Sequence, residues 1–301
     1  MKTLAGLAAA AAFLTACSTS PPVREGDPPR FVAPPAGTVP PRVALVLSGG
    51  SARGFAHVGV IKVLEENGLR PDLIVGSSSG SMVGALYASG LTAPQLEAAV
   101  AELDRSVFMS VSLPGLGLLP GSLGLIQGDR LHRFIDDRVR HHHIERFPML
   151  FAAVATDFAT GESRILNAGD VGLAVRASSA APGLIEPAQV GVMRLFDGQV
   201  SSPVPVDAAR KLGATVVVAV DVIYPPEEAA PRTAVGALFQ AFNIAVHRLK
   251  SAELGRADLV IGPEIASTSG QLSFADRERI VAAGEQAARA ALPKLRAAFS
   301  R

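Results

Sequence analysis

Val43-Ala44-Leu45-Val46-Leu47-Ser48-Gly49-Gly50-Ser51-Ala52-Arg53-Gly54 is the stretch on which the fold turns. Its first five residues are apolar without alternation, the pattern of a strand buried on both faces. A glycine-rich turn follows. Beyond it Val58, Ile61 and Leu64 recur at helical spacing, and Asn67-Gly68 closes the helix. A buried strand delivered straight into a helix is the repeating unit of a parallel sheet with helices on its faces.

The unit recurs along the chain. Asp72-Leu73-Ile74-Val75 is a second short strand, leading through Gly76-Ser77-Ser78-Ser79-Gly80 into a helix over 81–87. Further strands are expected at 151–156, 193–196, 216–220 and 259–261. Helices are expected at 94–103, 171–180, 205–212, about 234–254 and about 276–298. No internal repeat or second composition regime follows residue 42. The expectation is one α/β domain over residues 42–301, with a mostly parallel central sheet sandwiched by helices.

Composition bounds the function. Of 301 residues, 49% are apolar and 18% charged, which excludes a disordered chain. Lys and Arg number 28 against 27 Asp and Glu, a formal net charge of +1. That balance gives a polyanion nothing to bind, so nucleic acid is not an expected partner. The single cysteine, Cys17, allows no internal disulfide and excludes four-cysteine zinc sites. With no tryptophan, core volume falls to Ala, Val, Leu and Ile.

Residues 1–16 read as an export signal. Lys2 precedes an apolar run over 4–14, shorter than the about 20 residues that span a bilayer. The run ends in Leu14-Thr15-Ala16-Cys17, which resembles the bacterial lipoprotein box. That resemblance implies a lipidated Cys17 anchoring the chain to the cell envelope. Ser18 in the next position favours the outer membrane if the cell is Gram-negative. Residues 17–41 are expected to form a tether. Eight of the 24 residues 18–41 are proline, which lacks an amide donor and keeps the chain extended.

Two turns carry chemistry. Gly76-Ser77-Ser78-Ser79-Gly80 fits G-x-S-x-G, in which a serine sits on a strained strand-to-helix turn with its hydroxyl lifted above the sheet. Only Ser78 has glycine at both minus two and plus two. The 49–54 turn offers successive backbone N–H groups to an anion. Dinucleotide binding fails there because Ser51 takes the middle glycine position, and neither turn has the Gly-Lys-Ser/Thr of a phosphate loop. An oxyanion hole for acyl transfer is the preferred reading.

These elements together resemble the patatin-like phospholipases. That family has a G-G-G-x-R/K-G loop after the first strand, a G-x-S-x-G elbow and a distant D-G-A/G. Here they are Gly49-Gly50-Ser51-Ala52-Arg53-Gly54, Gly76 to Gly80, and Asp197-Gly198-Gln199. Arg176-Ala177-Ser178-Ser179-Ala180-Ala181-Pro182-Gly183 and Val200-Ser201-Ser202-Pro203-Val204-Pro205-Val206 also look like family segments. The resemblance spans about residues 42–222. It implies a patatin-like fold and a lipid or phospholipid ester substrate, with no cofactor and no metal. It also implies a Ser78–Asp197 dyad: Ser78 as nucleophile, Asp197 as general base, an acyl-enzyme intermediate, and the Gly50 and Ser51 amides as oxyanion donors with Gly49 shaping the loop. Arg53 is implied to hold the loop or bind a phosphate head group. Two departures stand out: Ser51 replaces the third loop glycine, and Gln199 replaces the small residue after Asp-Gly.

Other readings compete. In a Ser–His–Asp triad, His247 would be the base, oriented by Asp197 or Asp221. It falls in a helical run, where such a histidine does not normally sit. His57 reads as structural. His141-His142-His143 invites a metal, but consecutive helical residues do not share a face, and a solvated helix end is expected instead. The apolar Gly/Pro-rich stretch 106–127 is expected to be a flap over an acyl pocket. The rival in function is a non-catalytic envelope lipoprotein that keeps the fold as a binding module; Ser51 and Gln199 leave that reading open.

Overall fold

β1 (Val43–Leu47) is buried at every position and lies deep in an eight-stranded sheet. This is a computed structural model, and it describes residues 27–34, 39–103, 107, 123–223, 225, 234–265 and 274–300. The expected export signal, Cys17, and residues 106 and 108–122 of the expected flap lie outside the described residues.

Helices and strands alternate as the apolar runs predict. After β1 come α1 (Phe55–Glu66), β2 (Leu73–Ser77), α2 (Ser79–Ala88) and α3 (Ala93–Ala101). Next are α4 (Asp129–Asp136), β3 (Leu150–Asp157), β4 (Ser163–Leu166), α5 (Val171–Ser178), β5 (Ala188–Val190) and β6 (Met193–Asp197). The chain finishes with α6 (Val206–Lys211), β7 (Val216–Val220), α7 (Ala234–Leu254), β8 (Leu259–Ile261) and α8 (Arg277–Ser300). Three of these were not anticipated: α4, β4 and β5.

The sheet order is β5-β6-β3-β2-β1-β7-β8, with β4 paired to β3 off that path. The run from β3 through β8 is parallel, while β4, β5 and β6 pair antiparallel. Side chains alternate across β1: Val43, Leu45 and Leu47 pack with α1, α2, α3 and α8, whereas Ala44 and Val46 pack with α6 and α7. Burial on both faces is why the strand carries no polar residue.

Residues 27–34 form no helix or strand, as their prolines dictate, but they are not a free spacer. Arg30 bridges Ala168, the Val32 amide donates to Asn167 Oδ1 at 2.7 Å, and the Asp170 amide donates to the Asp27 carbonyl at 2.8 Å. The edge of the folded unit therefore begins before residue 42. Among the described residues, no helix is long and apolar enough to cross a membrane.

Candidate active site

β2 ends at Ser77 and α2 begins at Ser79, so Ser78 alone makes the turn. Its φ is +52°, a left-handed value that β-carbon sterics oppose and that only surrounding structure can hold. Gly80 lets this happen: a β-carbon there would stand 2.2 Å from the Leu47 carbonyl oxygen. The Ser78 amide donates to Ser178 Oγ at 3.0 Å, and Ser178 Oγ donates to the Val154 carbonyl at 2.6 Å. Ser178 closes α5 and is fully buried.

Asp197 reaches Ser78 through β3. Val154 of β3 pairs with Ser77 of β2, and the next residue, Ala155, pairs with Asp197 of β6. β4 occupies the other edge of β3 across 153–156, so β2 and β6 share one edge and meet end to end. Both strands run C-terminus toward that meeting point, since β2 is parallel and β6 antiparallel to β3. Ser78 Oγ donates to Asp197 Oδ2 at 2.7 Å. Asp197 Oδ1 accepts from the Gln199 amide at 2.8 Å, and the Asp197 amide donates to the Ala180 carbonyl at 2.9 Å.

The pair is secluded, with Ser78 8% and Asp197 2% exposed. Burial pushes the Asp197 carboxyl up to about 7, against the lowering effect of its bonds from Gln199 and Ser78. A carboxylate with a pKa near neutrality, bonded to a hydroxyl, is equipped to take that proton.

The second turn lies beside the first. Gly54 packs against Ser79, and Gly49 against the Gln199 side chain. The Gly49 amide is used, donating to the Pro203 carbonyl at 3.2 Å. Among the described residues, the Gly50 and Ser51 amides donate no hydrogen bond, which leaves two adjacent N–H groups for an anion. Ser51 takes φ +52°, so the serine adopts the dihedral where the family commonly has glycine. Gln199 is buried and fills the space over Gly49.

Arg53 is 5% exposed. Its Nε donates to the Val222 carbonyl at 2.9 Å and its Nη1 to the Ile265 carbonyl at 3.3 Å. These bonds tie the glycine turn to the segments at 222 and 265, which is one of the two roles the sequence leaves open for Arg53. Ser48 Oγ accepts from the Val222 amide at 2.9 Å, tying the same loop to the end of β7. His57 is fully buried, and burial lowers its pKa to about 4. Its neutral ring therefore donates from Nε2 to the Ser48 carbonyl at 2.8 Å. His247 lies in α7, and among the described residues no hydrogen bond joins it to Ser78, Asp197 or Asp221. Asp221 pairs instead with Lys250 at 2.8 Å.

Two supporting residues were missed in the sequence. Nothing in Arg176-Ala177-Ser178-Ser179 marks Ser178, rather than Ser179, as the partner of the Ser78 amide. Glu253 of α7 is buried and raised to about 7 by burial; it accepts from Ser202 Oγ and from the Val204 amide. It thereby fixes the segment just after Asp197. Its signal was a lone acid seven residues after Val246 on the buried side of the helix.

Comparison with known proteins bears on the family and the fold. Residues 45–210 match the family described as patatin-like phospholipase. An uncharacterized NTE family protein of Mycobacterium tuberculosis is 36% identical over 190 residues, covering 61% of this chain and 50% of that protein. Another from the same organism is 33% identical over 276 residues, covering 83% of this chain and 46% of that protein. Mouse patatin-like phospholipase domain-containing protein 6 is 36% identical over 183 residues, 60% of this chain and 13% of that protein. The chain thus spans half or less of the length of these relatives. The crystal structure of VipD from Legionella pneumophila shares the fold, with a TM-score of 0.52 at 14% identity, covering 92% of this chain and 72% of that one.

Proposed function

The chain belongs to the patatin-like phospholipase family, and from that premise we propose that it hydrolyses lipid acyl esters with a Ser78–Asp197 dyad. The observation that carries the proposal is the 2.7 Å bond from Ser78 Oγ to Asp197 Oδ2 at a strained turn.

Asp197 takes the hydroxyl proton as Ser78 Oγ attacks the ester carbonyl carbon. The carbonyl oxygen becomes an oxyanion, which the Gly50 and Ser51 amides stabilise. Collapse breaks the bond to the leaving alcohol, and Asp197 returns the proton to it. An acyl group remains on Ser78. Water then attacks that ester with Asp197 again as base, releasing a carboxylic acid and free Ser78. Apart from water, the steps need no group beyond these side chains and amides. Lipidation of Cys17 would hold the domain at the bacterial envelope, within reach of such substrates.

Fluorophosphonate labelling of the protein, with peptide mapping, tests the dyad. The expected result is label on Ser78, and at least a hundredfold slower labelling in a folded Asp197→Ala variant. A folded, unlabelled protein in the presence of detergent or lipid would favour the binding-module reading. Labelling that survives Asp197→Ala would remove Asp197 as base.

A further inference from the structure

We propose that His132, Asp136 and Asp170, with His142 at their rim, bind one divalent cation of the zinc type. His132 and Asp136 are four residues apart on α4, so both side chains lie on one helix face. Asp170 caps the N-terminus of α5, its Oδ1 accepting from the Leu173 amide at 2.7 Å. The three residues converge: His132 Nε2 is 3.1 Å from Asp170 Oδ1 and 3.2 Å from Asp136 Oδ2.

Two features point to an ion between them. His132 is 5% exposed, yet its Nε2 has no aligned hydrogen bond despite the two nearby oxygens. Asp136 Oδ1 likewise has no hydrogen-bond partner. Ligand atoms lying about 2.0–2.2 Å from a tetrahedral zinc ion stand roughly 3.3–3.6 Å from one another; the two separations at His132 are slightly shorter, and the three ligand atoms all lie within 4.8 Å of one another. One ring nitrogen and two carboxylates suit zinc better than magnesium or calcium, which prefer oxygen alone. The histidine run offers a candidate fourth donor: His142 Nδ1 is 3.6 Å from Asp136 Oδ1 and the side chain is largely exposed.

The competitor for this position is a proton. Burial works to lower the His132 pKa, but the Asp136 and Asp170 carboxylates outweigh it and raise it to about 9. A plain imidazolium ion pair is therefore the alternative that an experiment must separate. The cation would pin α4, the 141–143 segment and the start of α5 together. Its effect belongs to stability, since α5 reaches the dyad only at its far end, through Ser178.

The test is a Co²⁺ titration of untagged full-length protein in detergent, followed by visible d–d absorption and displacement with Zn²⁺. The expected result is a tetrahedral-type spectrum saturating at a single equivalent, with a raised Tm. Both should be lost in His132→Ala and in Asp136→Asn, and kept in His141→Ala. Asp136→Asn decides the matter if His132→Ala fails to fold. Absence of the band and of any Tm shift would overturn the site in favour of the ion pair. Binding that persists in folded Asp136→Asn or vanishes in His141→Ala would place the ion on the surface histidines and overturn it equally.

Discussion

In the proposed dyad Asp197 must be ionised to accept the Ser78 proton, and burial raises its pKa to about 7. The protonated form therefore dominates below neutrality. Fluorophosphonate labelling should fall about tenfold for each pH unit below roughly 6.5 and level off above about 8. A rate flat between pH 5 and 8 would show that Asp197 is not the base. Ser178 makes a second case at this scale. Its hydroxyl is the partner of the Ser78 amide and donates to the Val154 carbonyl, and Ser178→Ala leaves the buried Ser78 amide without that acceptor. Such orphaning costs about 1–3 kcal/mol. We expect a lower Tm and labelling slowed at least tenfold, with the pH midpoint unmoved because Asp197 keeps its own surroundings. An unchanged labelling rate would leave Ser178 with a packing role only.

β3 acts as the ruler of the site. Neighbouring residues Val154 and Ala155 fix Ser77 and Asp197 side by side, so the dyad distance is a matter of strand register. Gly198 protects that register: a β-carbon there would stand 2.2 Å from the Val154 carbonyl oxygen and 2.5 Å from Ser77 Oγ. Gly198→Ala must push β6 away from β3, at a cost of about 1–3 kcal/mol. Loss of labelling by a hundredfold or more, with the fold retained by circular dichroism, is the expected outcome. Some elements escaped the sequence for reasons that are now visible. α4 places Leu131, Phe134 and Ile135 on one face, but half of its eight residues are charged and two turns give the period only three apolar positions in which to show. β5 has three residues and turns into β6 through Gly191 and the fully exposed Val192, too short a run to announce itself.

At the level of the whole molecule, the chain before β1 joins the domain. Removing residues 1–26 should leave Tm unchanged, while removing 1–38 strips the partners from the Ala168 and Asp170 amides. Each lost backbone bond is worth about 0.5–1.5 kcal/mol, so differential scanning calorimetry should find the shorter form several degrees less stable. Equal Tm values would return residues 27–34 to the role of tether.

The apolar run 43–47, its glycine turn and the G-x-S-x-G elbow are local patterns. Chain sterics and burial fix what such patterns become, so the α/β class and the special place of Ser78 were legible in the sequence alone. Asp197 was singled out only through family resemblance, for nothing in Arg194-Leu195-Phe196-Asp197 marks it out among the acids of the chain. Its position against a serine 119 residues away exists because β2 and β6 meet on one edge of β3. The roles of Ser178 and Glu253, the loop-holding bonds of Arg53, and the gathering of His132, Asp136 and Asp170 are of the same kind. Each depends on which distant segments pack together, and that is decided by the register of non-local strands and helices rather than by any residue's neighbours in the chain.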